Sequence, residues 1–147
     1  MQMQLQYVVQ YLDNLKGKIM AQVIIYQNSN GGVAVCVPTG EIDIKAVLAK
    51  DCPAGAIIVD DSMLPQGADA QFFDAWELNG STVTVNLEKA RAIKLTQFNA
   101  QAVQEAQARQ LNTLAGIANT VSDADFTATL TAGREKIANA TTTAELV

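Results

Sequence analysis

The chain has 147 residues, enough for one ordinary domain or for a small domain with a helical extension. Charged residues make up 17%, below the roughly 25% common in soluble domains, and the net charge is −5 with no basic stripe, which argues against nucleic acid as a direct partner. Histidine is absent, which removes the commonest general base and metal ligand and excludes Ser-His-Asp and Cys-His catalysis in their usual forms.

Residues 1–20 carry Leu5, Val8, Val9, Leu12, Leu15 and Ile19 at steps of three and four, the pattern of an amphipathic helix. The segment lacks a basic leader and is interrupted by Gln, Asp and Asn, unlike a secretory signal. Lys16-Gly17-Lys18 before Met20 can be encoded by a purine-rich stretch resembling a bacterial ribosome-binding site, so Met20 is a second candidate start. No run in the sequence approaches the roughly 20 apolar residues of a membrane span, and no membrane partner is expected.

Residues 21–86 read as a small α+β domain. QVIIYQ (Gln22 to Gln27) and Val33 to Val37 are β-rich runs around Asn28-Ser29-Asn30-Gly31-Gly32, a hairpin with a long loop ended by Pro38. Asp43 is placed to cap a short helix through Lys50, with Ile44, Val47 and Leu48 on its buried face. Ile57 to Val59 is a third strand, and residues 62–70 read as a loop around Pro65 and Gly67. Phe72, Phe73 and Trp76 hold most of the aromatic bulk and are expected to be structural core. Asn79-Gly80 between Trp76–Leu78 and Thr82–Val85 predicts a type I′ hairpin turn.

Residues 87–147 read as a helical arm. Asn86 is a good N-cap, and no Pro or Gly interrupts the chain from Leu87 to Gly116. The apolar stripe is irregular, and Gln104 to Gln110 is almost wholly polar or alanine, so the segment forms helix readily but buries little alone. Ser122 with Asp125 predicts the start of a second helix. Its apolar face is Phe126, Leu130 and Ile137. Thr142 with Glu145 predicts a capped last turn. The fold class expected is therefore α+β: a small antiparallel-sheet domain of two hairpins and a short helix, then a long C-terminal helical hairpin.

Candidate chemistry is sparse. Asp60, Asp61, Asp74 and Glu77 flank the aromatic cluster, and paired carboxylates can serve glycoside hydrolysis. Adjacent Asp60 and Asp61 would point to opposite faces if extended, and turn capping accounts for them more simply. No EF-hand spacing or phosphate-loop pattern is present. Cys36 and Cys52 stand 16 positions apart without a CxxC pattern. Free thiols of a reducing cytosol are the simpler reading, with a disulfide as the alternative. No catalytic residue, metal or cofactor is expected. The expected protein interface is Phe98, Val103, Leu111, Leu114 and Ile117.

The phrases QVIIYQNSNGGVAVCVPTGE (Gln22 to Glu41), AKDCPAGAIIVDDSMLP (Ala49 to Pro65), FFDAWEL (Phe72 to Leu78) and VTVNLEKARAIK (Val83 to Lys94), then a helical tail ending IANATTTAELV (Ile137 to Val147), occur in that order. This run resembles a group of small tailed-phage and prophage proteins encoded near tail-fibre genes. In that group a KDVPAG-like phrase and an FRNAW-like phrase recur. Here Cys52 replaces the usual apolar residue and Phe73-Asp74 the usual Arg-Asn. The resemblance implies a phage-encoded, non-enzymatic factor of tail or tail-fibre assembly. Its partner would be a phage tail or fibre protein or a second copy of itself, in a homo- or hetero-oligomer. It would act in the host cytoplasm during assembly. The alternative it implies is a virion component forming a helical bundle.

Overall fold

The computed structural model describes residues 21–147. The amphipathic segment expected over residues 1–20 lies outside them. The chain divides into two compact units, one running up to Asn86 and the other from Leu87 to Val147. The fold is α+β, with antiparallel sheets followed by a helical hairpin.

In the first unit, β1 (Gln22–Gln27) and β2 (Val33–Cys36) form the expected hairpin, in register from Ile24 opposite Cys36 to Gln27 opposite Val33. Asn28 organises the loop. Its Oδ1 accepts from the amides of Asn30 and Gly32, each at 3.0 Å. β3 (Ile57–Asp60) pairs antiparallel with the other edge of β1, giving the order β2-β1-β3. Strands β2 and β3 therefore run parallel to each other, and parallel strands require a crossover. Helix α1 (Ile44–Asp51) supplies it and lies against β1 and β3. Asp43 makes no side-chain capping bond, contrary to the sequence reading, and its backbone carbonyl instead accepts from Ala46 and Val47. Ile44, Val47 and Leu48 are only half-buried.

The stretch expected to be a loop contains two 3₁₀ segments, Asp61–Met63 and Asp69–Ala75. They lead into β4 (Trp76–Asn79) and β5 (Thr82–Val85), a separate hairpin. Its turn differs from the expected type. Asn79 pairs with Thr82, so the two central residues are Gly80 and Ser81, and only Gly80 has positive φ, at 64°. That is the sign pattern of a type II′ turn, not I′. The register explains the choice. It sets Leu78 opposite Val83 and Trp76 opposite Val85. A turn centred on Asn79-Gly80 would have set Leu78 opposite Ser81 and lost an apolar pair on the core face.

Alternation along β1 divides its side chains between two faces. Val23 and Ile25 join Val33, Leu64, Trp76 and Val83 in one core cluster. Ile24, on the opposite face, is also fully buried. Trp76 donates its Nε1–H to the Asp69 carbonyl at 3.0 Å and packs against Phe73, ring centroids 4.9 Å apart. Phe72 is buried as well. Side chains of this size contribute about 1.5–3 kcal/mol each on full burial, so Trp76 and its neighbours dominate this unit.

In the second unit, α2 (Leu87–Leu114) and α3 (Asp123–Asn139) form the helical hairpin. Gly116 ends α2 with φ 71°. The Ile117 amide reaches the Asn112 carbonyl and the Gly116 amide reaches that of Thr113. These are the two bonds of a Schellman cap, which needs a left-handed residue at the Gly116 position. Ser122 caps α3 by accepting from the Asp125 amide at 3.1 Å, while its own hydroxyl donates to Asp125 Oδ2. After α3, Thr142 and Glu145 form a reciprocal capping box on a last 3₁₀ turn, Thr143–Leu146, and Leu146 is buried.

Candidate functional site

Helix α2 spans 28 residues, about 42 Å at about 1.5 Å per residue. The side of α2 toward α3 is defined by contacts. Phe98 packs its ring over Gly133 of α3. Arg91 donates through Nε and Nη2 to the Ala140 carbonyl at 2.9 and 2.6 Å, and Arg134 donates to Asn99 Oδ1 at 3.0 Å. Ala102 is buried, as is Ile137 on α3.

The five residues expected at a protein interface separate into two groups. At about 100° per residue, Val103, Leu111 and Leu114 fall within about 80° of one another, whereas Phe98 lies about 140° from Val103. Phe98 is thus the one member of the expected seam that faces the chain's own second helix. Val103, Leu111 and Leu114 face outward, 56%, 65% and 78% exposed, and Ile117 just past the cap is 58% exposed. Ala100, Gln107 and Gln110 share the outward arc and are exposed too, and no charged side chain falls on it between Ala100 and Leu114. Val121, in the turn before α3, is a further exposed apolar residue that the sequence reading left out of the interface. In the sequence it reads as the end of the long helix's apolar stripe.

The turn between the helices is held by a polar cluster that the sequence reading missed. Arg109 Nη2 donates to the Val121 carbonyl at 2.7 Å and to Asp123 Oδ1 at 2.5 Å, and the guanidinium carbon stands 4.6 Å from the centre of the Phe126 ring. Asn119 accepts from Asn112 and donates to the Arg109 carbonyl. An open cleft of about 410 Å³ runs beside this cluster. Its cation is already engaged by groups of the turn itself, so the cleft reads as the flank of a consolidated loop.

Two of the four carboxylates weighed for hydrolysis, Asp61 and Glu77, have structural partners. Asp61 is buried, and its Oδ2 accepts from the Ala21 amide at 3.1 Å while its own amide donates to the Ala21 carbonyl. Asp61 thereby clamps the start of β1 to the end of β3. Glu77 Oε1 accepts from Asn86 Nδ2 at 2.9 Å. Asp60 and Asp74 are exposed. Among the described residues, no group of three or more His, Cys, Asp or Glu side chains is placed to hold a metal ion, and no helix is long and apolar enough to cross a membrane. Comparison with profiles of known protein families, with curated proteins and with solved structures finds no match to this chain.

Proposed function

We propose that this chain is a phage-encoded, non-catalytic protein-binding factor that acts in tail or tail-fibre assembly through the outward face of α2. The observation that carries the binding role is the uncharged strip bearing Val103, Leu111 and Leu114, continued by Ile117 past the cap. Exposed apolar side chains gathered on one face, without charges among them, mark a surface that gains by being covered. The helical unit also has few buried side chains of its own, among them Ala102, Ile137 and Leu146. Helices draw most of their stability from packing, so a partner on the open face adds what the hairpin lacks. The phage setting rests on the ordered phrases from Gln22 to Val147.

A chaperone-like factor covers an aggregation-prone surface of its client temporarily and then leaves. The second reading, a virion component, uses the same face permanently in an oligomeric bundle, and low charge with alanine-rich helices suits close helix packing. Mass spectrometry of purified particles beside the producing-cell lysate separates the two. Abundance in the lysate with absence from particles is the expected result. A fixed copy number in the particle would replace the first reading by the second. Absence from both would remove the assembly role.

A further inference from the structure

Two cysteines far apart in sequence are brought together in the first unit. Cys36 ends β2 and pairs with Ile24, so its side chain shares the Ile24 face of the sheet. Cys52 is the first residue after α1, where the chain turns to extended backbone at φ −112° and ψ 148°. Helix α1 lies against β1 and β3, and the crossover through it brings Cys52 back beside Cys36, near enough for one thiol to act on the other. Both are free and both keep partial solvent access.

We propose that Cys36 and Cys52 form a reversible dithiol site, which small disulfides of the glutathione class convert to an intramolecular disulfide tying the end of α1 to the end of β2. Such a bond has a mechanical consequence. Helix α1 has no fully buried residue and no side-chain cap at Asp43, so packing holds it to the sheet weakly. A covalent tie at its C-terminal end fixes it there and shortens the free loop of the unfolded chain.

The chemistry balances as two exchanges. The Cys52 thiolate attacks one sulfur of glutathione disulfide. That S–S bond breaks, a mixed disulfide forms on Cys52, and one glutathione leaves as thiolate and takes up a proton. The Cys36 thiolate then attacks the Cys52 sulfur and expels the second glutathione. Two protein thiols are oxidised, one glutathione disulfide is reduced, and the two cysteine protons end on the two glutathiones. The order follows from the environment of Cys36. Burial first, and then the adjacent Cys52, push its thiol up and keep it protonated. Once Cys52 is in the mixed disulfide it carries no charge, and that second cause disappears.

The test uses the full reduced chain in glutathione redox buffers, with mapping of linked peptides by mass spectrometry without reduction. The expected product is an internally bridged chain whose Cys36 peptide is linked to its own Cys52 peptide. It reverts to two free thiols in excess reduced glutathione and melts several degrees higher than the reduced form. Formation should be favoured about tenfold or more over the same chain in urea, because the fold supplies the encounter. The Cys36→Ser variant should stop at a stable glutathione adduct on Cys52, and Cys52→Ser should accumulate much less adduct on Cys36. Equal formation in folded and urea-unfolded chain, disulfides only between chains, or adducts on both cysteines without the internal link would each overturn the proposal.

Discussion

The ring of Phe98 fills the space left by the missing side chain of Gly133. A Cβ placed there would stand 2.6 Å from Cε2 of that ring and closer still to Cζ. Gly133 lies inside α3, where glycine costs about 1 kcal/mol relative to alanine. Propensity alone therefore predicts that Gly133→Ala stabilises the helical unit. The packing predicts the opposite sign. The ring must leave its seat, and overpacking of this kind costs about 1–3 kcal/mol. A net loss of about 1 kcal/mol is expected in urea unfolding followed by helical circular dichroism. In a Phe98→Ala background the same change should turn favourable, by up to about 1 kcal/mol. Additive effects of the two substitutions would show that the contact carries no energy.

Arg109 and Asp123 form an ion pair of unequal members, with 16% of the arginine side chain exposed and 93% of the aspartate. An exposed pair of this kind contributes about 0–1 kcal/mol. Asp123→Ala should therefore cost less than about 1 kcal/mol. Arg109→Ala should cost clearly more, about 2 kcal/mol, because it also strips the bond to the Val121 carbonyl and the contact with the Phe126 ring. Equal losses from the two substitutions would show that the ion pair is the whole of the interaction.

Glu145 gives the C-terminal turn a dependence on acid. Amide donation from Thr141, then from Thr142, holds its carboxyl below the usual glutamate range. A depressed folded-state value means that the contribution is fully present above the unfolded-state value. It is lost as pH falls through the folded one. The Thr143–Leu146 turn should fray in that acid window and release the buried Leu146, and proton-exchange protection of the Thr141 amide would follow it. Glu145→Gln should remove the acid step. An acid transition of the same amide in that variant would assign the effect elsewhere.

The outward face of α2 predicts a change of assembly with little change of fold. Leu111→Asp with Leu114→Asp places charge on residues that are already in water, 65% and 78% exposed. Surface changes of this type usually stay within about 0.5 kcal/mol, so the melting temperature should hardly move. Light scattering should show a lower oligomeric state, or binding to the tail or fibre partner should fall at least tenfold. A wild type and variant alike in both measurements would remove this face from the proposed function.

Elements set by local rules were legible in the sequence. The long helix from Leu87 was legible as a run without Pro or Gly up to Gly116, but its end was not, because the apolar stripe reads on to Ala118 and Val121 and only the positive φ of Gly116 shows where the cap falls. Ser122 with Asp125, and Thr142 with Glu145, were readable because capping depends on residues three apart. The second hairpin was found from Asn79-Gly80, but its turn type was not. The choice between two neighbouring turns was made by Leu78 and Val83, whose pairing is a matter of register. That Phe98 packs on Gly133, apart from the other four residues, was hidden for a related reason. A stripe on one helix does not say which arc meets the next helix, and that was decided by Gly133 on α3. The meeting of Cys36 and Cys52 depends on the path of the crossover, which no spacing of cysteines encodes.

The central position of β1 in the order β2-β1-β3 sets a schedule for the chain as it leaves the ribosome. This strand emerges before either neighbour. Its pairing with β2 needs only the local loop from Asn28 to Gly32, which closes quickly. Its other edge stays open until α1 has been made and β3 has followed. Val23 and Ile25 wait longer still, since Trp76 and Val83, which complete their cluster, come from the last hairpin of the unit. A nascent chain halted before Ile57 therefore holds a hairpin with an unguarded edge and a bare apolar face, the form in which this protein is most open to aggregation.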